Sequence, residues 1–115
     1  MTGIRRIDAV TLSTHDMAAS VAFYSALGFD ISFGGPGDGF TTMSAGACHV
    51  NLTREGTVCP WGRVVFHVDD VDALHAMAVA ADLRPDIAPT DATWGERYFA
   101  IHDPAGHDLS FARPL

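Results

Sequence analysis

Sulfur chemistry is scarce in this chain of 115 residues, which has two cysteines, Cys48 and Cys59. They are too few and too widely spaced for a CxxC metal or redox motif, and reduced thiols are the expectation. Positive charge is scarce too. Seven Lys and Arg stand against fourteen Asp and Glu, a net charge of −7 with His neutral. The seven are scattered, whereas phosphate binding needs clustered basic side chains, so nucleic acid is excluded as a partner. The acidic excess keeps a protein soluble and at long range favours cationic ligands. No apolar run approaches the roughly 20 residues of a membrane helix. The first eight residues carry two arginines with no apolar stretch behind them, which is not a signal-peptide pattern. The expectation is a cytoplasmic protein with no membrane contact. Also missing are a GxSxG nucleophile elbow and an HExxH zinc motif. Neither cysteine sits beside an evident base in sequence, and nothing positions two carboxylates for acid–base work.

What is present is a pattern that occurs twice. Residues 7–13 alternate, with Val10 and Leu12 on one face and Ala9, Thr11 and Ser13 on the other, as a half-buried strand does. Asp16 follows and can cap a helix. Met17, Val21, Tyr24 and Leu27 recur at helical spacing, so a helix is predicted over 17–27, stopped by Gly28. A strand over 29–33 comes next. The stretch GGPGDG, 34–39, does not match a phosphate-binding loop and reads as a hairpin turn. Strands follow near 40–43 and 48–53. Residues 54–62 read as a linker holding Gly56, Pro60 and Gly62.

The pattern then restarts. Residues 63–68 alternate, Asp70 precedes a helix over about 71–81, and strands are predicted near 86–88, 98–102 and 108–112, the last after an Asp-Pro-Ala-Gly turn at 103–106. The halves align by a constant shift of 54: 64−10, 66−12, 70−16 and 71−17. Each half reads strand, helix, then three strands. The expected fold class is α+β: two βαβββ modules, about 1–53 and 63–115, within one domain spanning 1–115. Two such units can curl a mixed sheet into a cup with helices on its outer face, and the inside of a cup is a natural ligand pocket.

Three stretches carry a resemblance. HDMAASVAFYSALGFDI (15–31) resembles the first helix motif of the vicinal oxygen chelate family, the glyoxalase/bleomycin-resistance/dioxygenase group. FHVDDVDAL (66–74) is similar to the start of its second module. WGERYFAIHDPAGHDLSF (94–111) is similar to its C-terminal signature, especially that of bleomycin-resistance proteins. The resemblance implies paired βαβββ modules, a homodimer and a small-molecule ligand.

The resemblance also implies where a metal would sit, because the family's metal enzymes place His or Glu at one point on each of four strands. Counting from Asp16, Asp69 and Asp103 puts three of those points at Ala9, Arg63 and Ser110; the fourth falls on Asn51. Alanine has no donor atom, arginine carries a permanent positive charge, and serine and asparagine are weak neutral ligands. The expectation is therefore no metal and no cofactor. A displaced site built from His49, His67 and Asp108 is the alternative.

Alternation places Val10, Leu12, Val50, Leu52, Val64, Phe66, Val68, Leu109 and Phe111 toward the helices. The opposite face then carries Ala9, Thr11, Ser13, His49, Asn51, Thr53, Arg63, Val65, His67, Asp108, Ser110 and Ala112. The guanidinium of Arg63 can bind a carboxylate or stack on a planar ring, or it can pair internally with Asp108. Trp61 and Trp94 each precede a glycine and can stack on a flat ligand, or cap the core or a dimer interface; the resemblance favours Trp94. Glu96, Tyr98 and Phe40 are weaker candidates. His15, His75, His102 and His107 read as surface residues. The candidate ligand-binding set is Arg63, Trp94, Tyr98, His49, Asn51, His67, Asp108, Ser110 and Trp61, with no catalytic residue assigned. Three functions compete: sequestration of a small planar or aromatic molecule, as in antibiotic resistance; a metal-dependent lyase, thiol transferase or dioxygenase using the displaced site; and, with little support in the sequence, metal-free catalysis through Arg63, His49 or His67.

Overall fold

Asp16 and Asp70 start two helices in the same way. Each lies in extended backbone and its carboxylate accepts the amide of the third residue on, Ala19 or Ala73, at 3.0 Å. This is the side-chain cap that satisfies one of a helix's orphan donors. The computed structural model describes residues 2–115 and contains ten elements: β1 Ala9–Thr14, α1 Met17–Ala26, β2 Asp30–Phe33, β3 Phe40–Ala45, β4 Cys48–Arg54, β5 Arg63–His67, α2 Val71–Ala80, β6 Ile87–Asp91, β7 Glu96–His102 and β8 Asp108–Pro114. They form two compact units, divided between Gly56 and Thr57.

Each unit is a four-stranded mixed sheet with one helix, which is the expected α+β, βαβββ architecture. The strand orders are β1-β4-β3-β2 and β5-β8-β7-β6, and the first pair in each is parallel while the others are antiparallel. GGPGDG joins β2 to β3 as a hairpin. Gly34 is required there, because it has φ +73° and a Cβ would collide with the carbonyl oxygen of Phe40.

In the first unit α1 packs against β2, β3 and β4; Met17, Val21 and Tyr24 of the helix and Leu12, Met43, Val50 and Leu52 of the strands are all buried. Tyr24 is wedged edge-on between Phe23 (5.1 Å) and Phe29 (5.6 Å). In the second unit α2 is alanine-rich and buries only Val71 and Ala78 fully. Bulk comes instead from the strands: Phe111 stacks on Phe66 at 5.1 Å and on Phe99 at 5.2 Å. Both helices end with the amide two residues past the cap returning to a carbonyl five residues back, Phe29 to Tyr24 and Leu83 to Ala78, a motif that needs a left-handed residue. Gly28 supplies it in α1 (φ +97°), and Asp82 supplies it in α2 (φ +63°).

Three expectations differ from the structure. β6 runs Ile87–Asp91 rather than 86–88. Pro89 hides it in the sequence, yet proline is tolerated because β6 is an edge strand with a bulge. His107 is not a surface residue; it is 2% exposed. Asp103 Oδ1 accepts the amides of both Ala105 and His107, which winds the turn tightly and draws the imidazole inward. His75 is half-buried, edge-on to Phe99 at 5.4 Å.

Candidate functional site

Strand parity holds. On β5 and β8 the residues at even offsets from Arg63 and Asp108 share the face away from α2, and register pairs them: Arg63 with Asp108, Val65 with Ser110, His67 with Ala112. β7 adds His102, Ala100 and Tyr98 opposite the same three β8 residues. On that face lies a small open notch of about 30 Å³. Val65, Ser110 and Ala112 form its strand-borne lining, Trp94 and Tyr98 its aromatic lining, and Arg63 and Glu96 its charged groups. All seven belong to the second unit.

The two charged groups are bound differently. Glu96 is held at both oxygens: Oε1 accepts the indole N–H of Trp94 at 2.9 Å, and Oε2 meets Nε2 of His67 at 3.0 Å. Arg63 has no hydrogen bond or ion pair to any described residue, although Asp108 stands across from it in register. Asp108 instead faces His102, Oδ1 to Nε2 3.9 Å, while the other ring nitrogen of His102 meets Asp86 at 2.6 Å. That hydrogen bond to Asp86 holds the His102 pKa above its ordinary value, against a smaller opposing effect of burial. The indole and phenol rings of Trp94 and Tyr98 lie 5.5 Å apart, tilted by 37°.

The corresponding face of the first unit is closed on itself. Thr42 Oγ1 donates to Asn51 Oδ1 at 2.7 Å, and Asn51 Nδ2 donates to Thr11 Oγ1 at 3.3 Å. His49 Nδ1 lies 2.7 Å from Ser44 Oγ, which also holds Ser32. These networks bind side chain to side chain across the face.

Of the sequence-derived candidates, Arg63, Trp94, Tyr98 and Ser110 line the notch together. His67 borders it through Glu96. Asp108 lies one register step from Ser110, beside Arg63. His49 and Asn51 belong to the network of the first unit. Trp61 is exposed in the loop before β5 and does not line the notch. The notch also includes Glu96, a weaker candidate in the sequence, and Val65 and Ala112, which the sequence assigns to the face only. Their parity with Arg63 and Ser110 was the available signal.

Ala9 and Asn51 lie on one diagonal of β1 and β4; Arg63 and Ser110 occupy the equivalent diagonal of β5 and β8. The set does not fit a divalent cation. A methyl group offers no donor, the guanidinium repels a cation, the amide oxygen of Asn51 is taken by Thr42, and a neutral hydroxyl is a weak ligand. Among the described residues no group of three or more His, Cys, Asp or Glu is gathered for a metal ion. His49, His67 and Asp108 each have another neighbour, as given above.

Comparison with known proteins agrees with this architecture. Among solved structures, a bleomycin-binding protein complexed with bleomycin matches with TM-score 0.79 at 21% identity, over 97% of this chain and 100% of that one. A bleomycin resistance determinant encoded on the transposon Tn5 matches with TM-score 0.81 at 21% identity, over 96% and 98%. A lactoylglutathione lyase from Agrobacterium tumefaciens matches with TM-score 0.78 at 22% identity, over 96% and 95%. At such identities the likeness shows the fold. No curated protein matches the sequence. The family model that does match spans residues 6–111, nearly the whole chain, and this protein therefore belongs to the glyoxalase/bleomycin resistance protein/dioxygenase superfamily.

Proposed function

We propose that this protein binds and sequesters a small planar or aromatic molecule, in the manner of an antibiotic-resistance binding protein, and that it works as a cytoplasmic homodimer. The observation that carries the reading is the notch of the second unit. Its tilted Trp94–Tyr98 pair offers π-faces to a flat guest, beside an Arg63 that has no partner among the described residues. The strand positions that the sequence resemblance assigns to the family's metal ligands hold Ala9, Asn51, Arg63 and Ser110, which suit affinity rather than Lewis-acid chemistry. Sequestration requires affinity alone. The dimer is supported by apolar surface on the first unit, where Phe33 is 65% exposed and packs edge-on against Phe40 at 6.4 Å, an area a second copy would cover.

Isothermal titration against a panel of glycopeptide and polyaromatic antibiotics tests the binding reading. Heat and tryptophan quenching are expected from at least one; silence from every member counts against it. Sedimentation equilibrium tests the dimer, and a monomer at micromolar concentration removes that part.

A further inference from the structure

Buried hydroxyls nearly always find a partner. The Oγ of Ser110 has none among the described residues, although Ser110 is 97% buried and lines the notch. The cause lies in the residues either side. In the first unit the equivalent row is Thr42, Asn51, Thr11, and every side chain in it is bonded to the next. In the second unit that row is Ala100, Ser110, Val65. Alanine and valine have nothing to give, so the hydroxyl is left for something that enters the notch.

Arg63 lines the same notch, also without a partner among the described residues. The nearby carboxylate, Glu96, already receives Trp94 on one oxygen and His67 on the other. The charge left uncommitted here is positive. Resting on the aromatic-binding reading above, we infer that the notch takes the carboxylate of a planar aromatic acid, bound by the guanidinium of Arg63 and the hydroxyl of Ser110, with the ring carried across Ala112 onto Tyr98 and Trp94.

Size and spacing agree. A volume of about 30 Å³ holds roughly two waters, so a carboxylate enters and a ring stays outside. The step from the Ser110 row to the Ala112–Tyr98 row is two residues, about 7 Å, the length of one aromatic ring with its acid group. The net charge of −7 acts the other way at long range, but salt screens it beyond about 8 Å. A charge-assisted hydrogen bond at contact distance outweighs that residue of repulsion.

Three ligands of one shape separate the possibilities: 2-naphthoate, 2-naphthalenemethanol and 2-naphthylmethylamine, titrated calorimetrically into the full-length protein and into Arg63→Ala, Arg63→Lys, Ser110→Ala and Trp94→Ala. The naphthoate is expected to bind about tenfold more tightly than the alcohol, and more tightly still than the amine. Arg63→Ala should erase that preference, Arg63→Lys should keep part of it, and Ser110→Ala should weaken the naphthoate by about threefold while leaving the alcohol unchanged. Trp94→Ala should weaken all three ligands. If the amine or the alcohol equals the naphthoate, or if Arg63→Ala leaves the preference intact, the anion assignment is overturned while the aromatic reading stands. If none of the three binds, this inference is overturned, and the antibiotic panel decides the aromatic reading separately. Arg63 is exposed on its strand, and an unchanged circular dichroism spectrum shows that its variants fold.

Discussion

The middle rows of the two open faces have the same address and opposite states. Thr42–Asn51–Thr11 is hydrogen-bonded end to end, whereas Ala100–Ser110–Val65 is interrupted on both sides of a buried hydroxyl. The cores differ as well. α1 contributes large side chains to its unit, while α2 contributes mainly alanine and leaves the bulk to three stacked phenylalanines on strands. A duplicated frame lets one copy satisfy its polar groups internally and the other leave them unmatched. Departures from local satisfaction in an otherwise consistent fold tend to fall at functional positions, and here they gather at the notch.

Single substitutions should separate the two units. The largest effect is expected from Phe111→Ala, which empties the centre of the aromatic stack and should cost about 3–5 kcal/mol in urea unfolding. A loss under about 1 kcal/mol would mean that the stack does not hold the second unit. Next come two substitutions of opposite sign. Asn51→Ala removes both bonds of its row and should cost about 1–2 kcal/mol. Ser110→Ala, at the equivalent position, removes an unmatched hydroxyl and should raise stability by up to about 1 kcal/mol. Equal losses at both positions would erase the distinction between the rows.

The helix ends give a smaller contrast. Asp82→Gly relieves a left-handed aspartate at the place where α1 already uses Gly28, and should add about 0.5–1 kcal/mol. No gain in thermal midpoint would show that Asp82 is not strained. The smallest effect concerns His102, whose pKa is held above 6.5 by Asp86. A raised folded-state value means that its contribution is fully present below pH 6.5 and is lost as pH rises through the raised value. The pair is exposed, so less than about 1 kcal/mol is at stake. The wild-type advantage over His102→Gln should therefore shrink from pH 5.5 to pH 9, and an advantage that grows over that range would reverse the assignment.

Much of this was legible in the sequence for one physical reason: side chains on strands alternate with a period of two. Once β1, β4, β5 and β8 were placed, Arg63 and Ser110 had to share a face, and Ala9 and Asn51 another. The helix starts were equally readable, since Asp16 and Asp70 precede apolar runs of helical period. What alternation cannot give is register. That Ser110 stands between Val65 and Ala100, and so lacks a partner among the described residues, depends on how three strands align. The burial of His107 likewise depends on Asp103 gathering two amides, a three-dimensional event behind a sequence that reads as an ordinary turn. Pro89 suppresses strand propensity and so hides the extent of β6 in the sequence; the strand's edge position and bulge make the proline harmless.

The indole of Trp94 is 61% exposed, yet its N–H is tied to Glu96, which His67 braces in turn. A surface ring of this kind would ordinarily sample several rotamers and would have to be frozen on association, at about 0.5–1.5 kcal/mol. Here the tether has already chosen one pose. A guest arriving at this ring meets a shelf that is fixed in advance, so weakening the brace at His67 should loosen binding without altering a single atom the guest touches.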